Sequence, residues 1–396
     1  MDITLVESAG ALEAIAARAA RADRLAVDAE ANGLHAFRPA LCVLQLAWPE
    51  GATMAVAVID TLAVPVTPLA PLLGEGGPVK VLHDLTFDAR LLADAGAPLA
   101  RARDTSVAAR LLGFAATGLS ALLASELGVA HAKDLQQHDW SRRPITPAQL
   151  AYLAGDVGHL LALDDHLDAR GAALDIRAEI AAECAYKLST ALNPPRDGRP
   201  AYARIKGVGA LDGTGRAVLR RLCEAREAAA SAVDVPPFKV ITNETLLELA
   251  VKRPRDRAGL AAVRGATVGL AGQRVEGWLR AVAAGIDDGD IPPADQAMFA
   301  PVIPDRVSFA KRRAREAQVS AWRKAEATRR GVDAQVVLPG HCATDLVDAL
   351  IAHDDRPDAD ALQAAIAGIP GLGSSRIDRY SGALQALAAV APERNA

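Results

Sequence analysis

The sequence predicts an α/β fold: a mixed sheet flanked by helices, followed by two small all-helical domains. Three observations predict it. Short apolar runs rich in Val, Leu and Ile come first and are separated by segments containing Gly, Pro or Asn. Strand and helix patterns then alternate up to about residue 190. Beyond the Pro/Gly-rich stretch 193–200 only helical periodicity remains.

Each element has its own signal. Residues 9–22 are alanine-rich and helical, with Ser8 as N-cap. Leu25-Ala26-Val27-Asp28-Ala29-Glu30 reads as a strand, as do 41–48 and 54–60, and the spacing of these three suits an antiparallel meander. A short helix over 68–74 ends at Gly74, and 79–83 is a fourth strand. The helix beginning near Leu85 carries Asp88, Leu91 and Leu92, and a short strand over 100–103 follows it. Helices are expected over 105–112 and 119–127. A longer one opens at Thr146-Pro147, the N-cap and first helical position. Residues 202–285 are helical with breaks at Pro236-Pro237 and Pro254, 285–304 is a second break, 308–330 is a basic helix, and a last helical region spans 342–390. The expected domains are therefore 1–190, 200–288 and 305–396, with a faint pattern shared by the last two.

Bulk properties narrow the class. The chain has 396 residues, 51% hydrophobic, 23% charged and 4% aromatic, with a formal net charge of −4. That excludes a disordered chain and leaves nucleic acid open as a partner, since basic residues can cluster. Cys42, Cys184, Cys223 and Cys342 lie far apart, without zinc-site spacing. Neither a leader pattern nor a run of about 18 apolar residues is visible, so the expectation is a cytoplasmic protein without membrane contact.

The chemistry lies in carboxylates. Asp28 and Glu30, at i and i+2 of a strand, point to one face and repel each other. Taken alone they also suit a strand end emerging into water. Asp88 falls in the first turns of its helix, where an acid also serves as a dipole partner. Tyr152 and Asp156, at i and i+4, share a helix face; in isolation they also suit a solvated pair. Two glycine-rich stretches carry no such chemistry. Lys206–Arg216 lacks the phosphate-loop register, and Gly368–Gly373 reads as an interhelical turn.

Together these acids resemble the DEDD-type 3′→5′ exonucleases with tyrosine in the third motif, most of all the ribonuclease D family. The likeness is ordered and spans about residues 3–185: Asp28-Ala29-Glu30, Phe37–Ala47, His83 with Asp88, Asp104–Gly113, Lys133, Asp139–Thr146, and Tyr152 with Asp156. Asp84, after His83, departs from the small or amide residue usual there and invites an ion pair, for which Arg90 is a candidate. Arg204–Gly207, Asp234–Pro237 and Asn243–Leu247 resemble the HRDC domain, and 305–396 a divergent second copy.

The resemblance implies a ribonuclease H-like fold and a 3′→5′ exoribonuclease that trims RNA 3′ ends, such as those of tRNA precursors, releasing nucleoside 5′-monophosphates. It implies two divalent ions, Mg²⁺ or Mn²⁺, held by Asp28, Glu30, Asp88 and Asp156, with Asp28 shared by both and Tyr152 placing the attacking water. Hard cations suit carboxylate oxygens and would relieve the Asp28–Glu30 repulsion. The helical domains would bind RNA, with 311–330 a candidate surface or simply a solvated charged helix. Two other readings stay open: a non-catalytic RNA-binding protein on a nuclease fold, and a related exonuclease preferring DNA.

Overall fold

The computed structural model describes residues 1–131, 134–194, 197–300 and 306–389. Lys133 lies outside them, as do Pro195 and Arg196 of the expected linker. The chain divides into two compact units, one of Met1–Glu30, Leu41–Pro194 and Pro304–Ala396, the other of Ala31–Ala40 and Pro195–Ile303.

The first unit is built on a six-stranded mixed sheet of order β1-β4-β3-β2-β5-β6. Its strands are β1 (Asp2–Val6), β2 (Arg24–Ala31), β3 (Leu41–Glu50), β4 (Thr53–Asp60), β5 (Val79–Leu82) and β6 (Ala102–Asp104). β3 and β4 pair antiparallel, while β1–β4, β2–β5 and β5–β6 are parallel. β1 is the strand that sequence reading missed. It is a five-residue strand with exposed Asp2 and Ile3, too short to show alternation.

Helices cover both faces, which is why β3 reads as a nearly continuous apolar run with little alternation. On one face Leu25, Val27, Leu44, Leu46 and Ile59 pack with Leu12 and Ile15 of α1 (Ala9–Ala19) and Leu92 of α2 (Thr86–Asp94). On the other face Ala26, Val43, Val56 and Val81 pack with Trp140 and with Leu153, Ala154 and Val157 of α5 (Pro147–Gly158). Between α2 and α5 come α3 (Thr105–Leu111) and α4 (Leu119–Leu127); after them come α6 (Leu160–Ala173) and α7 (Arg177–Leu192). The alternation of β2 decides the site. Leu25, Val27 and Ala29 belong to the first face, so Ala26, Asp28 and Glu30 face the side of α5.

The second unit packs α8 (Gly213–Ala232), α9 (Asn243–Lys252) and α10 (Val275–Asp288) around Val218, Leu222, Leu246, Leu249, Trp278 and Val282. A Cβ on Gly285 would collide with the backbone of Val218, so glycine lets α8 and α10 approach. The loop Ala31–Ala40 belongs to this unit: Phe37 packs on its core and donates its N–H to Asp234 Oδ1 at 3.0 Å.

The described residues from 306 onward include the longer helices α11 (Arg306–Arg330), α12 (Gly340–Asp355), α13 (Ala359–Ala367) and α14 (Ser374–Ala389), with a single turn, Ala334–Val337, between the first two. They share a core of Val319, Leu346, Leu350, Leu362, Ile366 and Leu384, within the same compact unit as the sheet. The basic helix α11 spends much of its charge internally. Lys311 pairs with Asp355 (2.6 Å), Arg312 with Asp348, and the buried Arg315 with Asp354. Arg323 Nε donates to Ala334 O (2.9 Å). These pairings leave much less free positive charge on 311–330 than its composition suggests.

Candidate active site

β2 delivers two acids to the α5 side of the sheet, and α5 delivers the third. Thr146 caps α5 by accepting from Gln149 N, with the reciprocal bond completing a capping box, and Pro147 holds the first turn. That start sets the helix phase, so Leu153, Ala154 and Val157 meet the sheet while Tyr152 and Asp156 line its cleft. Asp28, Glu30 and Asp156 each place one carboxylate oxygen within 4.8 Å of the others. Asp88, on the first turn of α2, is only 5% exposed and lines the same cleft. The cleft measures about 660 Å³ and has the half-exposed Phe87 at its rim.

The electrostatics are those of like charges confined together. Burial pushes the Asp28 carboxyl well above its usual range, and the charge of Asp156 pushes it further. Glu30 is raised to about 9 by burial, Asp28 and Asp156. Asp88 is raised by burial and then by Asp28 and Glu30. Asp156 is raised by burial, against the pull of His131. It also sits in the last turn of α5, where the carbonyl end of the helix disfavours an anion. Tyr152 is raised by burial and by Asp156, so its phenol keeps its proton at neutral pH.

Among the described residues no lysine or arginine forms an ion pair with Asp28, Glu30 or Asp88. Asp156 Oδ2 is buried, and no described residue hydrogen-bonds it. An uncompensated, oxygen-only cluster with an orphaned oxygen fits a hard divalent cation.

Asp84 and Asp88 separate clearly. Asp84 has a left-handed backbone (φ 63°) and a side chain 70% exposed, paired with Lys187 Nζ at 2.7 Å. Arg90, its candidate partner from sequence, instead donates Nε to Ala191 O (3.2 Å). Lys187 also reaches Asp104 Oδ2 (2.7 Å).

Asp104 is a residue whose role the sequence hid. Its two oxygens accept Asp84 N and Leu85 N (3.0 Å each), and it caps α3 through Ser106 N (2.8 Å). It thereby holds the turn that aims α2 and Asp88. Asp104 followed by Thr105-Ser106 carried an N-cap signal; Lys187, over eighty residues later, carried none. Arg143 is a second hidden brace. It donates to both oxygens of Asp60, to Cys42 O (2.9 Å) and to Trp140 O (2.7 Å). The buried Trp140 packs near Tyr152, ring centroids 5.9 Å apart, as core rather than as an exposed platform for bases.

Comparison with known proteins fits this geometry. Residues 3–171 match the 3'-5' exonuclease family and 215–282 the HRDC domain. A ribonuclease D of Acidiphilium cryptum is 35% identical over 74% of this chain and 75% of its own length. One from Granulibacter bethesdensis is 32% identical over 73% of each chain. The crystal structure of Escherichia coli RNase D, described as an exoribonuclease involved in structured RNA processing, superposes with a TM-score of 0.68. It covers 99% of this chain and 100% of its own at 19% identity, a likeness of fold.

Proposed function

From the premise that this chain belongs to the ribonuclease D family, we propose that Asp28, Glu30, Asp88 and Asp156 hold two divalent ions, Mg²⁺ or Mn²⁺, and that Tyr152 orients the water that removes the terminal nucleotide of RNA. The chain is a hydrolytic 3′→5′ exoribonuclease of a family that depends on divalent metal and acts on RNA. The finer assignment rests on one observation: Asp28, Glu30 and Asp156, from two elements, each place one carboxylate oxygen within 4.8 Å of the others.

Bound divalent ions supply charge stabilisation on the phosphate and a water of lowered pKa. The protein's own groups do the rest. Asp28 and Glu30 project from a strand buried in the sheet, so their separation is fixed before substrate arrives. Tyr152, which keeps its proton, contributes a hydrogen bond rather than a base. Water attacks the last phosphorus, the bond to the penultimate 3′-oxygen breaks, that oxygen takes a proton, and a nucleoside 5′-monophosphate leaves. Its order of attack from the 3′ end is the family's.

The substrates we propose are structured RNAs with free 3′ ends, tRNA precursors among them. The description of the E. coli relative as an exoribonuclease involved in structured RNA processing supports the structured-RNA part of this proposal. We also propose a cytoplasmic site of action; the four cysteines are buried, which suits a reducing compartment. We also take 1–190, 200–288 and 305–396 as the working parts, each carrying a core of its own.

The test is a 3′-labelled RNA incubated with Mg²⁺ or Mn²⁺, beside a matched DNA. Wild type should release 5′-mononucleotides from the RNA, and Asp28→Asn should cut the rate by about 10³-fold, the scale of losing several kcal/mol of charge stabilisation. Undiminished release by Asp28→Asn would defeat the site assignment. Binding without release would favour a non-catalytic role, and faster release from DNA would overturn the substrate.

A further inference from the structure

The Asp156 carboxylate faces two different environments. Its Oδ1 lies 2.8 Å from Nε2 of His131, whose side chain is 7% exposed. Its Oδ2 is buried, with no hydrogen-bond partner among the described residues. On the far side of the imidazole, Nδ1 lies 3.2 Å from Ser120 Oγ, near the start of α4. Neither Ser120 nor His131 belongs to the acid set or to the braces that aim Asp88.

One tautomer satisfies both contacts: Nε2–H donates to Asp156 Oδ1, and Nδ1 accepts the Ser120 hydroxyl proton. The bond fixes the carboxylate plane and occupies one oxygen. It also sets a donor against an anion that the end of α5 disfavours.

We propose that His131, held by Ser120, is a positioning residue that restricts Asp156 to a single metal-facing oxygen and so tunes the site toward a small octahedral cation. This rests on the reading of Asp156 as a metal ligand. Mg²⁺ demands near-octahedral geometry with short bonds, whereas Ca²⁺ accepts more oxygens and bidentate carboxylates. With Oδ1 tied to His131, Asp156 ligates through Oδ2 alone. Once the imidazole is removed, both oxygens can turn inward, and the larger ion gains a ligand that the smaller one cannot use.

The experiment measures ion binding by the full-length chain without RNA. Mg²⁺ and Ca²⁺ are each titrated calorimetrically into wild type, His131→Ala, His131→Gln and Ser120→Ala. His131→Ala should lower Mg²⁺ affinity by about 10-fold or more, the usual cost of losing an outer partner of a ligand, with a much smaller change for Ca²⁺. His131→Gln, which keeps a donor, should restore most of the Mg²⁺ preference. Ser120→Ala should shift the ratio the same way by less. A loop merely loosened would weaken both ions alike, so an unchanged Mg²⁺ to Ca²⁺ ratio in His131→Ala overturns the proposal, whatever the absolute affinities. If that variant does not fold, the ratio in Ser120→Ala decides, and no shift there overturns it. A wild type that binds neither ion would sink the metal-ligand reading, and this inference with it.

Discussion

Helix α7 carries Glu179 and Glu183, both buried, and each faces arginines of the C-terminal helices in the same compact unit. Arg330 and Arg379 approach Glu179 to 3.7 and 3.9 Å, and Arg376 approaches Glu183 to 3.6 Å. In the cleft, the half-buried Asp28 and Glu30 and the buried Asp88 face one another, with no arginine or lysine paired to them among the described residues. Both groups bear the desolvation cost of buried carboxylates; only the first has arginines within ion-pair distance to offset part of it, and burial still holds Glu183 above its usual range. The comparison separates acids that fasten helices from acids kept for a cation the chain does not encode.

Removing a cation from the compensated group should give the largest change in stability. Arg376 is fully buried, and besides Glu183 it donates to the carbonyls of Val336 (2.8 Å) and Leu372 (3.1 Å). Arg376→Ala strands Glu183 and these oxygens, so a loss of about 3–5 kcal/mol is expected, the range for breaking a buried ion pair. Urea unfolding measures it. A loss below about 1 kcal/mol would mean that the arginines do not compensate these acids, and the contrast with the cleft would collapse.

The uncompensated group should show itself through pH. Glu30 has its pKa raised to about 9, and Asp28, Asp88 and Asp156 are raised as well. Between the unfolded carboxylate range near 4 and that raised value, the folded state holds more protons than the unfolded one. The contribution of these groups to stability in chelator should therefore be full in acid and fall as pH rises toward about 9, by at most about 1.4 kcal/mol per pH unit for each group. Saturating Mg²⁺ should flatten or reverse the fall, because the ion replaces the protons. Asp28→Asn should also flatten it and leave the metal-free protein as stable as wild type or more so. Thermal melts across pH decide, and a metal-free Asp28→Asn that melts clearly earlier would move Asp28 into the structural group.

This division was partly legible in the sequence. Strand periodicity put Asp28 and Glu30 on one face, and Thr146-Pro147 set the phase of α5 that brings Asp156 to them. Local rules sufficed because each partner lies on one regular element. What stayed hidden depends on contacts between distant segments. β1 shows as a strand only beside β4; Lys187 meets Asp84 across 103 residues; His131 reaches Asp156, 25 residues later, from a position that no local pattern singles out. The charges of α11 looked available to RNA because their acidic partners, Asp348, Asp354 and Asp355, lie on another helix.

Asp84 tests the boundary between the two groups, and the smallest effect is expected there. It stands four residues from Asp88 and lines the same cleft, yet its carboxylate is mostly exposed and tied to Lys187. Exposed pairs contribute about 0–1 kcal/mol. Lys187 would also keep Asp104 at 2.7 Å and Ser106 at 3.3 Å after Asp84 lost its charge. The amide in Asp84→Asn still offers Lys187 an oxygen, and the Asp84 N–H that Asp104 holds belongs to the backbone, which the substitution leaves in place. Asp84→Asn should therefore change stability by less than about 1 kcal/mol and leave the exonuclease rate near wild type, whereas Asp88→Asn should nearly abolish it. Parallel rate measurements on the same labelled RNA make the comparison. A collapse of activity in Asp84→Asn with Asp88→Asn still active would exchange the two residues, making the exposed, lysine-paired acid the functional one and undoing the rule that the cleft's working carboxylates are those the chain leaves uncompensated.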